Sequence, residues 1–320
     1  MSRSGLRAVE HEIEIAAPPA AVYRLIAEVE NWPLIFPPTI HVERVAEGGH
    51  EERIRIWATA NGEAKTWASR RVLDPVAGRV AFRQEVPAHP VAAMAGAWVV
   101  SEGSAAGSAR VVLTHEYRAV DDDPGHLAWI DEAVDRNSVA ELAALKANVE
   151  RVVADEEDAL TFSFEDTVRV AGSARDLWDF VNEADRWSER LPHVAEVRLT
   201  EDVPGLQELE MDTRARDGST HTTRSYRVTC APEWIAYKQT VLPALLSLHT
   251  GRWTFVPEDG GTVAATSRHT VTLNAANVGS VLGAGATVAD AREYVRTALS
   301  TNSVATLRYA QRYAEERVGV

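Results

Sequence analysis

Several things are scarce in this sequence. It holds one cysteine, Cys230, among 320 residues. A lone thiol can build neither an internal disulfide framework nor a multi-cysteine metal site. Basic residues are outnumbered, 33 Lys and Arg against 47 Asp and Glu, for a formal net charge of −14. Phosphate binding needs a basic footprint, so nucleic acid is not an expected partner. No apolar run approaches the ~18 residues of a membrane-spanning helix, and Met1–Ile15 lacks the apolar stretch of a signal peptide. A soluble cytoplasmic protein without a membrane partner is expected. The ten histidines form no H-x-x-H or His/carboxylate grouping at metal spacing. No metal site is therefore expected, and His41, His89, His115 and His249 default to structural or solvent roles.

What is present is globular in composition: 45% hydrophobic and 25% charged residues. The length suits about two domains, and the sequence says which two. Shifted by 155 residues, it matches itself. Ile13, Ile15 and Ala16 fall on Val168, Val170 and Ala171; Val22, Tyr23 and Trp32 fall on Leu177, Trp178 and Trp187. Phe82-Arg83-Gln84 meets Tyr237-Lys238-Gln239, and Gly96 and Trp98 meet Gly251 and Trp253. Arg136–Leu142, RNSVAEL, faces Thr301–Leu307, TNSVATL, after a longer insertion. The chain is a tandem duplication, with domains expected over 1–155 and 156–320 and a linker at Glu156–Leu160.

Each copy reads in one order. An alternating strand (Val9–Ala16; Asp166–Ala171) leads to a helix opened by Pro18-Pro19 or by Gly172-Ser173. Val22, Leu25, Ile26 and Val29 give that helix one buried face. Trp32-Pro33 starts a short second helix, and about six strands follow, broken by turn signals. Among these, Asn61-Gly62 suits a tight hairpin between Arg53–Ala60 and Lys65–Leu73. A long helix, roughly Ala133–Asp155, closes the copy. The fold class is α+β: a curved antiparallel sheet wrapped around a long helix, with an interior ligand pocket.

Within Lys65–Leu73 the strand period places Trp67, Ser69 and Arg71 on one face. The second copy repeats a Ser-x-Arg as Ser225 and Arg227, with Thr223 where Trp67 stands in the first. An aromatic, a hydroxyl and a guanidinium in line make a pocket wall. Their plainer reading is an edge-strand charge beside core aromatics.

Trp32–Pro37 (W-P-x-x-F-P), Trp67–Arg71 (W-x-S-x-R) and Pro90–Trp98 (P-x-x-x-M-x-x-x-W) resemble the polyketide aromatase/cyclases of bacterial type II polyketide synthases. The tandem arrangement is similar to the di-domain members, which act on C9-reduced chains, and the fold implied is the helix-grip fold of START and Bet v 1-like domains. The resemblance implies first-ring (C7–C12) aldol cyclisation and aromatising dehydration, without a cofactor. The substrate it implies is a poly-β-ketone on the phosphopantetheine arm of an acyl carrier protein.

That chemistry wants these residue types. Trp32, Phe36, Trp67, Trp98, Trp187 and Trp253 are flat templates for a chain becoming a flat ring. Arg71 and Arg227, protonated throughout, stabilise enolate and alkoxide oxygens. Ser69 and Ser225 orient the arginines or relay a proton. Single-domain relatives carry a tyrosine where this chain has Thr39 and Val194, so the base is open. Asn137 and Asn302 face the pocket or, more plainly, cap a helix. Gly279–Gly285 reads as a flexible approach to the last helix, and the acidic tracts Asp121–Asp123 and Asp155–Asp158 as solvated loops. A carrier protein is acidic, as is this chain, so docking calls for a local basic patch drawn from Arg3 and Arg7, Arg44, Arg53 and Arg55, or Arg292 and Arg296. The competing readings are a non-catalytic carrier of hydrophobic ligands, and an enzyme in which one copy merely supports the other.

Overall fold

The computed structural model describes residues 5–153, 160–214, 218 and 220–318. The expected linker, the tract Asp155–Asp158 and Arg3 lie outside them, Leu160 excepted. The chain forms two compact units, Met1–Glu156 and Glu157–Val320.

In the first unit, β1 (Arg7–Ile15) leads to α1 (Pro19–Ala27) and the short α2 (Trp32–Ile35). Pro19 opens α1, where a missing N–H costs nothing. Six strands follow: β2 (Thr39–Gly48), β3 (Glu51–Ala60), β4 (Glu63–Asp74), β5 (Arg79–Val86), β6 (Val91–Glu102) and β7 (Ala109–Ala119). They pair antiparallel in the order β1-β7-β6-β5-β4-β3-β2. The ends β1 and β2 do not pair, so the sheet curves without closing. Asn61 (φ 51°) and Gly62 (φ 83°) make the β3–β4 turn, and positive φ at both central positions is what a two-residue hairpin with the right twist requires.

The long helix α3 spans Pro124–Val153 and begins nine residues before the expected Ala133 (133 − 124). Its apolar spacing is diluted there, but Asp123 Oδ1 accepts from the His126 backbone N–H at 2.8 Å and fixes the start. Asp123 is thus a cap and not merely solvated loop. Leu127 and Ile130 then pack on Tyr117 and Ala119. Further along, Leu142, Leu145 and Val149 join Val22, Ile26 and Phe36 in the main core. Sheet and helix thus pack together at both ends of α3, and the stretch between, around residues 133–141, borders a cavity.

The second unit repeats the plan: β8 (Thr161–Val170), α4 (Ala174–Asn182), α5 (Trp187–Arg190), then β9 (Val194–Val203), β10 (Leu206–Arg214), β11 (Thr220–Cys230), β12 (Trp234–Val241), β13 (Leu246–Pro257) and β14 (Val263–Leu273). The order β8-β14-β13-β12-β11-β10-β9 is that of the first sheet. Ser173 caps α4 by accepting from Asp176 N–H at 3.0 Å. The insertion is α6 (Val278–Leu282) and a turn through Gly283 (φ 102°) and Gly285 (φ 94°), so part of the glycine stretch is helical. Thr287 and Asp290 form a reciprocal cap at the start of α7 (Val288–Val318). Asn137 and Asn302 lie in the middle of α3 and α7 and cap nothing.

Candidate functional site

Among the described residues, a cavity of about 140 Å³ lies between sheet and long helix in the first unit, and one of about 130 Å³ in the second. The Ser-x-Arg strands pass under both, but the two arginines end in different situations.

In the first unit, Arg71 is 1% exposed and does not line the cavity. Nη2 donates to the Ile26 carbonyl at 2.9 Å and Nη1 to the Ala27 carbonyl at 3.3 Å. These are the orphan carbonyls of the last turn of α1, the negative end of the helix dipole. The guanidinium also lies 5.0 Å from the centre of the Trp32 ring, whose indole N–H donates to Ile26 as well, at 3.2 Å. Its cross-strand neighbour Glu52, also buried, holds Arg71 Nη1 at 2.8 Å and Arg44 Nε at 2.9 Å. The charge is neutralised and directed away from the hollow, which corrects the expectation of a cavity-facing Arg71. Ser69, buried at 2%, is likewise outside the lining. So are Phe36 and Trp98, which stack at 5.8 Å within the core.

Trp32, Trp67, Thr39 and Asn137 do line this cavity. Asn137 donates to the Thr59 carbonyl at 3.0 Å, tying α3 to the end of β3. Beside them stand two groups the sequence reading did not single out as functional. Glu141, one turn beyond Asn137 on α3, is desolvated among apolar walls, and its pKa is raised to about 8. At neutral pH it is mostly a carboxylic acid. His115 on β7 is held down to about 4 by burial and by nearby His11, so it is a neutral imidazole, and its Nδ1 has no hydrogen-bond partner. A proton donor and a proton acceptor thus share one aromatic-walled chamber. His89 lines it too and meets the His126 ring edge-on at 4.8 Å. His89, His115 and His249, which by default have structural or solvent roles, all line a cavity. His41 packs on Trp57, as a structural residue does.

In the second unit, Arg227 is 2% exposed and lines the cavity, as do Ser225, Trp187, Trp253 and Asn302. Nη2 caps α4 by donating to the Val181 carbonyl at 2.7 Å, and the Trp187 ring centre is 5.4 Å away. The cross-strand neighbour that was Glu52 is now Gln207, whose amide nitrogen donates to Glu201 and Asn182 at 2.7 and 3.2 Å. Arg227 Nη1 is buried without a partner. Burial lowers the arginine to about 10, which leaves it protonated at neutral pH. Val194, at the place of the relatives' tyrosine, is core.

A cavity-bearing, helix-gripping sheet present twice in one chain defines the class of protein. Family profiles described as "Polyketide cyclase / dehydrase and lipid transport" match residues 7–150 and 170–292. The granaticin polyketide synthase bifunctional cyclase/dehydratase of Streptomyces virginiae is 56% identical over 300 residues, 93% of this chain and 96% of that protein. Its actinorhodin counterpart from Streptomyces coelicolor is 48% identical over 320 residues, 97% and 98% of the two chains. The crystal structure of the di-domain ARO/CYC BexL, from the BE-7585A biosynthetic pathway, superposes with a TM-score of 0.85 at 61% identity, covering 97% of this chain and 99% of that one. For StfQ, from the steffimycin pathway, the values are 0.86, 37%, 98% and 100%. The chain belongs to the polyketide cyclase/dehydrase and lipid transport family, and within it to the di-domain aromatase/cyclases, enzymes of the cyclase/dehydratase type. No helix among the described residues is long and apolar enough to cross a membrane.

Proposed function

We propose that this enzyme takes a C9-reduced poly-β-ketone from an acyl carrier protein, closes its first ring between C7 and C12, and dehydrates that ring to an aromatic one. The observations that carry the reading are the protonated carboxyl of Glu141 in the first tryptophan-walled chamber and, in the second, Arg227 with one unpartnered guanidinium nitrogen, Nη1. Ring closure puts negative charge on oxygen, which a fixed cation in a dry site stabilises strongly. Loss of water then needs a proton on the departing hydroxyl and a base for the neighbouring C–H. Glu141 supplies the first, and the neutral His115 imidazole takes the second.

In this reading Trp32, Trp67, Trp187 and Trp253 shape the folded chain. Asn137 and Asn302 contact it from the long helices. Arg227 touches substrate oxygen, with Ser225 beside it. Ser69 and Arg71 are positioning residues: Arg71 fastens Trp32 and the end of α1 in place. Phe36 and Trp98 support that arrangement from below.

The test is reconstitution with a carrier-bound, C9-reduced chain and analysis of products. An aromatic first ring from the wild type, and shunt pyrones from Arg227→Ala, are expected. Tight binding of the chain with no cyclised product would overturn the proposal and identify a carrier of hydrophobic molecules.

A further inference from the structure

The second cavity contains a polar cluster that the first lacks. Tyr237 OH lies 2.9 Å from His269 Nδ1 and 3.3 Å from His249 Nε2. The two imidazoles meet at 3.0 Å, His249 Nε2 to His269 Nδ1. Beyond them, His249 Nδ1 is 2.9 Å from Gln239 Oε1, and His269 Nε2 is 2.7 Å from Ser303 Oγ and 3.1 Å from Ser267 Oγ.

One proton arrangement satisfies the set. The Gln239 oxygen only accepts, so His249 carries its proton on Nδ1 and accepts at Nε2. His269 then donates from Nδ1 and accepts at Nε2 from Ser303. Tyr237 accepts from His269 and donates to His249. Both imidazoles are neutral in this arrangement, in keeping with burial, which holds His269 down to about 4 and His249 well below its ordinary value.

The cluster is a specific construction. Its counterparts in the first unit differ at the two central places, Phe82 for Tyr237 and Met94 for His249, while Gln84, Ser138 and His115 match Gln239, Ser303 and His269. There Gln84 donates to the Met94 sulfur at 3.4 Å, and no chain forms. Gly251, like Gly96 opposite Phe82 in the first unit, makes room for the ring: a Cβ there would collide with Tyr237, so the glycine is what lets the phenol lie across β13. Buried polar groups are costly unless fully satisfied, so a six-residue network, five of whose members line the cavity, calls for a use.

We propose that the second unit is a catalytic centre in its own right, in which the His249–His269 pair accepts the proton of a β-dicarbonyl methylene while Arg227 Nη1 holds the resulting enolate oxygen. This inference rests on the polyketide reading above and assigns carbon–carbon bond formation to the second cavity. The methylene C–H bond breaks and its proton passes into the imidazole pair through the cluster. The electron pair moves onto the carbonyl oxygen beside Arg227. The enolate carbon bonds to a ketone carbon, and the new alkoxide recovers the proton. No other reactant is consumed.

The experiment uses the full chain and a short 3,5-dioxoacyl thioester in deuterium oxide, with methylene exchange followed by proton NMR above the buffer rate. The variants are Tyr237→Phe and His249→Met, which install the first unit's own residues and keep the volume. Each is expected to lower catalysed exchange at least tenfold, with unchanged circular dichroism, and to divert the carrier-bound substrate to uncyclised shunt products. His249→Gln, which retains hydrogen bonding without an imidazole, serves should His249→Met fail to fold, and the same loss is expected of it. Wild-type exchange and cyclisation in Tyr237→Phe and in a folded His249 variant would overturn this assignment while leaving the polyketide reading intact. A wild type that neither exchanges the thioester nor cyclises the carrier-bound chain would overturn both.

Discussion

At the scale of single residues, the two copies differ most in how they handle charge. Arg71 and Glu52 are an ion pair with side chains 1% and 3% exposed. Glu52→Gln strands a buried guanidinium and is expected to cost about 3–5 kcal/mol, read as a lowered denaturant midpoint. Glu141 has the opposite sign. Unfolded, it ionises in the usual carboxylate range; folded, it keeps its proton to about pH 8. Between those values the folded state binds the extra proton, so stability drains away as pH rises and levels off above about 8. Glu141→Gln removes that loss: a gain of about 1–3 kcal/mol is expected at pH 8, and none at pH 4, by urea titration. The same variant is expected to slow dehydration by about a hundredfold or more, leaving a ring-closed alcohol. None of this was legible beforehand. A glutamate one turn past Asn137 looks like any helix-surface acid until the sheet opposite is known to part from the helix there.

At the scale of elements, legibility was much better, because periodicity and turn chemistry are local. The Asn61-Gly62 hairpin, Pro19 at the start of α1, the Trp32 turn and the strand series all follow from residue type. The Ser-x-Arg strands follow from the pattern too, but a strand pattern gives the face of a side chain and not the reach of its head group. Both arginines run past the cavity floor to the carbonyls ending α1 and α4. That depends on where a helix terminus lands, which is tertiary information. The glycines facing Phe82 and Tyr237 are an element-level device of the same kind. Gly251→Ala must push the Tyr237 ring off β13, at an expected cost of about 1–3 kcal/mol. Its measurable signature is loss of catalysed exchange along with a lower melting temperature.

At the scale of the molecule, duplication was visible as a constant offset, and divergence is the part that carries the chemistry. Gln207 beside Arg227, where the first copy has Glu52 beside Arg71, leaves the second guanidinium with an unpartnered Nη1 and only the more remote Glu201 as counter-charge, while the first is held in a direct ion pair. Gln207→Glu is expected to give Arg227 the ion pair that Arg71 has and to reduce cyclisation strongly, at a cost in stability near neutral pH because the new carboxylate meets Glu201, which now accepts from the Gln207 amide at 2.7 Å; thermal melts and product ratios read the two effects. The proposed docking of an acidic carrier on this acidic chain calls for local positive surface. Arg7, Arg44 and Arg53 are paired with Asp131, Glu30 and Glu85, while Arg55 and Arg296 are exposed. If docking is electrostatic, turnover of a carrier-bound substrate falls as salt rises, and turnover of a small thioester does not.

The most direct measurement compares the products of Glu141→Gln and Arg227→Gln on one carrier-bound, C9-reduced substrate. Two chemically distinct cavities predict two profiles: a cyclised but undehydrated alcohol from the first variant, and uncyclised pyrones from the second. Identical product profiles from the two variants would contradict the account.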